Sequence, residues 1–328
     1  MRLKRTILPG EPAFYHCVSK VRGQEMLLND DEKRRLHELM RRVSGFSGVE
    51  VKTYCLMDNH FHMIVKVPKW REVDEAELVS RMRTLYGDAK TEARLAAWKL
   101  WENKGQAHKS IRAKAALRKR LFNLSDFFKT MKERFAKDFN RRSGCSGVFW
   151  SERFNSVLLD SEKGILTTVG AYGDLDPVRS GIVKIAEKYA FSGLGAAFRG
   201  DTDALAGIHD IIDLVPNTTK KTTGIQEAFA EYRQIIAEKI PEFGKFSGTG
   251  TKMKAWKNMG TGTKMERNTY DYIAGVAIGS LKFVGKAALL LLGHALTIQD
   301  FAYRRYDNMS GEYYHARRIA KKRKYEFH

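Results

Sequence analysis

The chain has 328 residues, enough for one large or two modest domains with a substantial core. Lys and Arg number 58 against 38 Asp and Glu, a formal net charge of +20, which makes a polyanion, and nucleic acid first, the expected partner. Cys17, Cys55 and Cys145 lie far apart without a CxxC pair, which argues against a disulfide framework or zinc ribbon and fits a reducing cytoplasm.

The opening "MRLKRTILPGEPAFYHC" is basic but has no long apolar run, so it does not read as a signal peptide. Residues 13 to 21, "AFYHCVSKV", have strand composition. Residues 29 to 46 then offer an Asn/Asp start, helical apolar spacing and a Gly stop. Two strands follow at 49 to 57 and 60 to 67, separated by Asp58 and Asn59, a tight hairpin signal. The order strand, helix, strand, strand opens a ferredoxin-like or RRM-like α+β fold, an antiparallel sheet with helices on one face.

The second hairpin strand reads "HFHMIVKV". Successive strand residues face opposite sides, so His60 and His62 share a face and Phe61 takes the other. Two imidazoles side by side suit a metal half-site, and they equally suit a polar surface face.

Residues 71 to 120 read as a helical insertion that ends in the basic run "RAKAALRKR", a DNA-contacting arm or a solvated face. From 124 to 142 a helix is expected to start at Ser125 as N-cap, with Phe128, Met131, Phe135 and Phe139 as a core stripe. A fourth strand is expected near 156 to 160, and a helix from Ser161 and Glu162 that ends at or just before Pro177. Tyr172 and Asp176 share one face if that helix continues so far.

Residues 191 to 328 read as an extension, mainly helical, with a small helical domain late in it and a basic tail. The duplicated "GTGTKM" at 248 to 253 and 260 to 265 reads as a flexible linker. "GKAALLLLGHALTI", with His294, is too short to span a bilayer and reads as a buried helix, so no membrane association is expected.

Three separated pieces occur in a recognisable order: "HFHMIVK", "LSDFFKTMKERFAKDFNRRSGCSGVFWSERFNSVLLD" and "YGDLDPVRSGIV". Together they resemble the HUH-type single-tyrosine transposases, in particular the REP-associated tyrosine transposases, over roughly residues 8 to 190. The resemblance implies a transposase domain over 1 to 190 that cuts and rejoins single-stranded DNA, a hairpin or repeat element, through a 5′-phosphotyrosine, assisted by Mg²⁺ or Mn²⁺. It further implies Tyr172 as nucleophile, with His60, His62 and Asp176 as metal ligands. A phenol attacking a phosphodiester needs a polarised phosphate held in line, and a phosphotyrosine keeps the bond energy for rejoining, so no nucleotide cofactor is required.

Two positions depart from the family pattern. Asp176 stands where Asn is usual and should tighten metal binding, while Gly173 replaces an aliphatic residue and predicts a more mobile helix. His16 reads as a packing histidine or one that supports a ligand, and Arg153 and Arg179 as phosphate contacts or ordinary ion pairs. Tyr270 and Tyr272 are lesser candidate nucleophiles, and a second copy of the chain, as a homodimer, is a candidate partner. Rival readings are a non-catalytic or domesticated nucleic-acid-binding protein on the same sheet and a metal phosphodiesterase that uses water.

Overall fold

The computed structural model describes residues 8, 10–161, 164–212, 224–244, 277–279, 283, 287, 301–308 and 311–318. Strand β1 (Ala13–Lys20) leads into helix α1 (Asp30–Ser47), and β2 (Glu50–Leu56) turns back as β3 (His60–Val67). Asn29 caps α1 by accepting the Glu32 amide at 3.0 Å, and Gly48, at φ 72°, ends it in the left-handed conformation a side chain disfavours. The expected insertion is present as α2 (Glu75–Tyr86), α3 (Asp88–Asn103) and α4 (Ala107–Arg118). Helix α5 (Leu124–Ser143) and β4 (Asn155–Leu159) complete the first half of the chain. The N-cap of α5 is Asn123, not Ser125, because the amide oxygen of Asn123 reaches the Ser125 and Asp126 amides at 2.9 and 3.2 Å.

In the sheet, β3 lies between β2 and β1, and β4 pairs with the far side of β1, all antiparallel. The alternation of β3 then sorts its side chains. Phe61 points to the face covered by α5, where it stacks on Phe128 with ring centroids 6.1 Å apart and meets Trp150 edge-on. Met131 and Phe135 are buried on the same side, as their helical spacing requires. Each such burial contributes about 1.5–3 kcal/mol. A bidentate pair, Arg142 to Glu32 at 2.6 and 2.7 Å, fastens α5 to α1.

Helices lie on both faces, which corrects the one-face expectation. Helix α6 (Ile165–Asp174) packs on the face of His60 and His62, followed by α7 (Asp176–Arg179). It begins after Gly164, at φ 66°, rather than at Ser161. The extension continues with α8 (Gly193–Phe198), α9 (Thr202–Ile212) and α10 (Ile225–Gly244). Together with the segment before α8, it covers β2, which would otherwise be an open edge. The Leu56 amide donates to Phe191 at 2.9 Å, the Tyr189 hydroxyl donates to the Leu56 carbonyl at 2.6 Å, and Lys52 pairs with Asp210 on α9.

In the later extension three strands are described, while most of the stretch expected to form a small helical domain lies outside the described residues, with 283 and 287 helical. Among the described residues, β5 (Ala277–Gly279) pairs in parallel with β4, so the sheet is not purely antiparallel. A hairpin of β6 (Phe301–Asn308) and β7 (Gly311–Arg318) continues the same sheet through β7. Alternation in "FAYRRYDN" and "GEYYHARR" fits an antiparallel pair that sets Asn308 against Gly311, a signal that the basic tail composition obscured. The repeated hexamers, Tyr270, Tyr272, His294 and the tail beyond 318 lie outside the described residues.

Candidate metal and tyrosine centre

Two elements build the site: the interior strand β3 and the chain that runs from α6 into α7. Cα pairing sets Val18 against His62 and Lys20 against His60, so His16, Val18 and Lys20 share the histidines' face. His60 Nε2 lies 3.1 Å from His62 Nε2 and 2.9 Å from Asp176 Oδ2, and His62 Nε2 is 3.6 Å from that oxygen. All three ligand atoms fall within 4.8 Å of one another.

The other ring nitrogens are held. His60 Nδ1 lies 2.7 Å from Asn59 Oδ1, and His62 Nδ1 lies 3.1 Å from His16 Nε2, with the two imidazoles stacked at an interplanar angle of 8°. The contacts to Asn59 and His16 fix the orientation of the two rings, so that both Nε2 atoms turn toward Asp176. Two Nε2 atoms and a carboxylate oxygen converging this closely repel unless a proton or a cation lies among them. The donor set therefore fits a divalent cation, with His60, His62 and Asp176 as the groups that would hold it. His16 acts by orienting His62.

Burial pushes the His62 imidazole down to about 4, outweighing the Asp176 hydrogen bond, so it is neutral at pH 7 and able to ligate. Burial also opposes charge on Asp176, but the hydrogen bonds from His60 and His62 and the Arg179 charge prevail and hold its carboxyl well below the usual range.

Tyr172 sits beside this cluster, edge-on to His62 at 5.7 Å and to His16 at 6.4 Å between ring centroids. The helix does not run unbroken from Tyr172 to Asp176. It ends at Asp174, Leu175 stays near helical at φ −85° and ψ −6°, and Asp176 opens α7 with Pro177 behind it. The two residues still reach one centre. Arg179 ties them: its Nη2 donates to Asp176 Oδ1 at 2.9 Å while its guanidinium lies 4.0 Å from the Tyr172 ring centroid. Arg153 is exposed in the bend before β4.

Gly173 is less costly than its helix propensity suggests. A Cβ there would meet only the His62 Cβ, at 3.5 Å, ordinary contact distance. Much of the basic run in the insertion serves the protein itself. Lys114 pairs with Glu75 at 2.8 Å, Arg118 donates to the Val73 carbonyl at 2.8 Å, and Arg120 donates to the Tyr86 hydroxyl at 2.7 Å, which leaves Arg112 and Lys119 as exposed cations of that stretch.

Two groups escaped the sequence reading. Asn59 looked like a turn residue only, although its side chain orients His60. Asp174, in the same "YGDLDP" as Asp176, is buried, accepts hydrogen bonds from Tyr232 and Thr53, and has its carboxyl raised to about 7 by burial. No local signal separates the two aspartates, because the partners of Asp174 lie far away in sequence.

The sheet thus carries a His-His-Asp cluster beside a tyrosine, an arrangement compatible with a divalent metal. Residues 12–92 match the family model described as "Transposase IS200 like", and the resemblance to the HUH-type single-tyrosine transposases is borne out by that match. A solved structure of a REP-associated tyrosine transposase bound to a REP hairpin is similar at 15% identity and a TM-score of 0.39, covering 61% of this chain and 86% of that one. That likeness is too distant to bear weight on function. No curated protein matches the chain. No helix among the described residues is long and apolar enough to cross a membrane.

Proposed function

We propose that the chain is a transposase-type enzyme that nicks and rejoins single-stranded DNA, a hairpin or repeat element by family resemblance, through Tyr172. The observation that carries this reading is the convergence of His60, His62 and Asp176 beside the Tyr172 ring. The Tyr172 hydroxyl oxygen attacks phosphorus, a phosphotyrosine bond to the 5′ side forms, and the bond to the 3′ oxygen breaks. The phenolic proton passes to solvent and the leaving oxygen takes one up, giving a free 3′-hydroxyl. Rejoining reverses these steps with a 3′-hydroxyl as attacker.

The chemistry that Mg²⁺ or Mn²⁺ supplies at such a donor set is Lewis-acid polarisation of the scissile phosphate. The chain's own residues supply the rest. His16 and Asn59 fix the two imidazoles, and Arg179 holds Asp176 and the phenol ring in one arrangement. The net charge of +20 favours capture of a polyanion.

Incubation with single-stranded hairpin oligonucleotides and Mn²⁺, followed by a denaturing gel, tests this directly. A covalent protein–DNA adduct is expected, and Tyr172→Phe abolishes it with DNA affinity nearly unchanged. A gel shift without adduct would favour the non-catalytic reading, and cleavage without adduct a water-using phosphodiesterase. Adduct formation by Tyr172→Phe would move the role to another tyrosine.

A further inference from the structure

Asp174 stands two residues after Tyr172 and two before Asp176. Two helical residues apart is roughly 200° of rotation, so Asp174 faces away from Tyr172. It is only 1% exposed, and a buried carboxyl must find partners. Three arrive from three elements: the Tyr232 hydroxyl of α10 at 2.7 Å, the Thr53 hydroxyl of β2 at 3.2 Å, and the Leu194 amide of α8 at 3.4 Å.

The face of α6 on which Asp174 lies is shaped for that approach. Gly170, one turn earlier, has no side chain, and a Cβ there would stand 3.0 Å from the Tyr232 hydroxyl and 3.1 Å from Ile211 Cδ1. One turn earlier again, the Thr167 hydroxyl donates to the Ile211 carbonyl of α9 at 2.9 Å. Residues 167, 170 and 174 therefore form one stripe toward the extension, and Tyr172 lies off it toward the histidines. Helix α6 has ten residues, two of them internal glycines, so its own ladder constrains it weakly.

We propose that Asp174 and Tyr232 are a positioning pair through which the C-terminal extension fixes the rotation of α6, and with it the aim of Tyr172 and the reach of Asp176. Any turn of α6 about its axis that carries Tyr172 off the cluster breaks the bond between them. The extension is then part of the reaction centre, not a separate binding module. The rate readout rests on Tyr172 as nucleophile; the metal readout does not.

The test uses the full chain with Tyr232→Phe, which removes one hydroxyl oxygen. Three quantities are measured: the single-turnover adduct rate at saturating DNA and Mn²⁺, the affinity for the same oligonucleotide, and Mn²⁺ affinity by calorimetry without DNA. A displaced nucleophile and ligand predict a rate about tenfold to a hundredfold lower and Mn²⁺ bound about tenfold more weakly, with DNA affinity unchanged. Asp174→Asn, whose amide oxygen still accepts from Tyr232, should keep most of the rate, and Asp174→Ala should resemble Tyr232→Phe. Their combination should be no worse than either alone.

A folded Tyr232→Phe with wild-type rate and wild-type Mn²⁺ affinity overturns the proposal, as does a loss shared equally by DNA affinity. If Tyr232→Phe fails to fold, Gly170→Ala keeps every bonding group and crowds Tyr232. It should show both losses in smaller measure, and wild-type values would overturn the pairing. If the wild-type chain forms no adduct, the nucleophile assignment fails, and the Mn²⁺ measurement alone judges the positioning pair.

Discussion

Replacing Asp176 by Asn removes one negative charge from beside His60 and His62 and leaves an oxygen at the same reach. In the chain without metal that charge is already engaged, with Oδ2 2.9 Å from His60 Nε2 and Oδ1 2.9 Å from Arg179 Nη2. At an effective dielectric of about 20, opposite unit charges roughly 4 Å apart attract by about 4 kcal/mol. Cation binding displaces the His60 contact and competes with Arg179, so only part of that attraction is net. A loss of about 1.5–3 kcal/mol follows, or roughly tenfold to a hundredfold in affinity. Calorimetric Mn²⁺ titration without DNA should therefore move to higher metal in Asp176→Asn, and the metal dependence of adduct formation should move with it. Most of the rate should return at saturating Mn²⁺. Asp176→Ala, which loses the oxygen as well, should move the midpoint further and stay slow. The depressed carboxyl of Asp176 also contributes stability that is present above the unfolded value and lost as pH falls through the folded one, so the stability difference from Asn should shrink toward strong acid. If both variants melt lower yet bind Mn²⁺ as the wild type does, Asp176 is only a partner for Arg179 and the assignment as ligand fails.

Gly173→Ala should raise the melting temperature by a few degrees, by about 0.5–1 kcal/mol of helix propensity, since its Cβ meets His62 Cβ only at 3.5 Å; a fall on thermal denaturation would show that the space is not there. Affinity for single-stranded DNA should drop with salt at a slope of about 0.7 per phosphate contact, and deleting residues 319 to 328, which leaves β7 whole, should make that slope shallower; an unchanged slope would show that the tail does not contact DNA. Asp174→Asn should gain stability relative to wild type as pH rises. The wild-type carboxyl, raised to about 7, contributes stability below its unfolded value and loses it between there and neutrality, so urea melts at pH 5 and pH 8 should differ in that sense. His62, depressed to about 4, has the opposite slope: its stability is full above its unfolded value near 6.5 and is lost as pH falls toward 4, which a His62→Ala comparison over the same range should remove.

The sheet was readable where each element advertised itself locally. Alternation placed His60 and His62 on one face and Phe61 on the other, and the structure has Phe61 stacked on Phe128 while the imidazoles meet Asp176. The Asn start of α1 was visible because caps are short-range chemistry, whereas the glycine within 29 to 46, Gly45, stays helical and the stop falls at Gly48. What sequence could not supply was long-range partnership. Asp174 and Asp176 are two residues apart in one motif, yet one turns to Tyr232, 58 residues on, and the other to His60, 116 residues back. The strands of the later extension were missed for a related reason. Apolar and aromatic residues late in the chain fit helix or strand equally, and the neighbouring edge at β4 is what draws 277–279 and the hairpin into the sheet.

The break at Leu175 gives the centre its shape. On one straight helix, residues four apart stand nearly one above the other, so Tyr172 and Asp176 would compete for the space before His62. Ending α6 at Asp174 and reopening at Asp176, with Pro177 fixing the first turn of α7, lets the carboxylate reach the two Nε2 atoms while the phenol ring stays edge-on to His62. Such a joint has little stiffness of its own, since no i to i+4 ladder runs through it without interruption. Its orientation must come from side chains on either side of it. Arg179 holds the downstream half through Asp176 and the Tyr172 ring, and Asp174 holds the upstream half through α8, α10 and β2. Removing the extension would take away the Tyr232 and Leu194 bonds to Asp174, and the remaining Thr53 hydroxyl and an ion pair at the end of a four-residue helix are a weak constraint against rotation of α6.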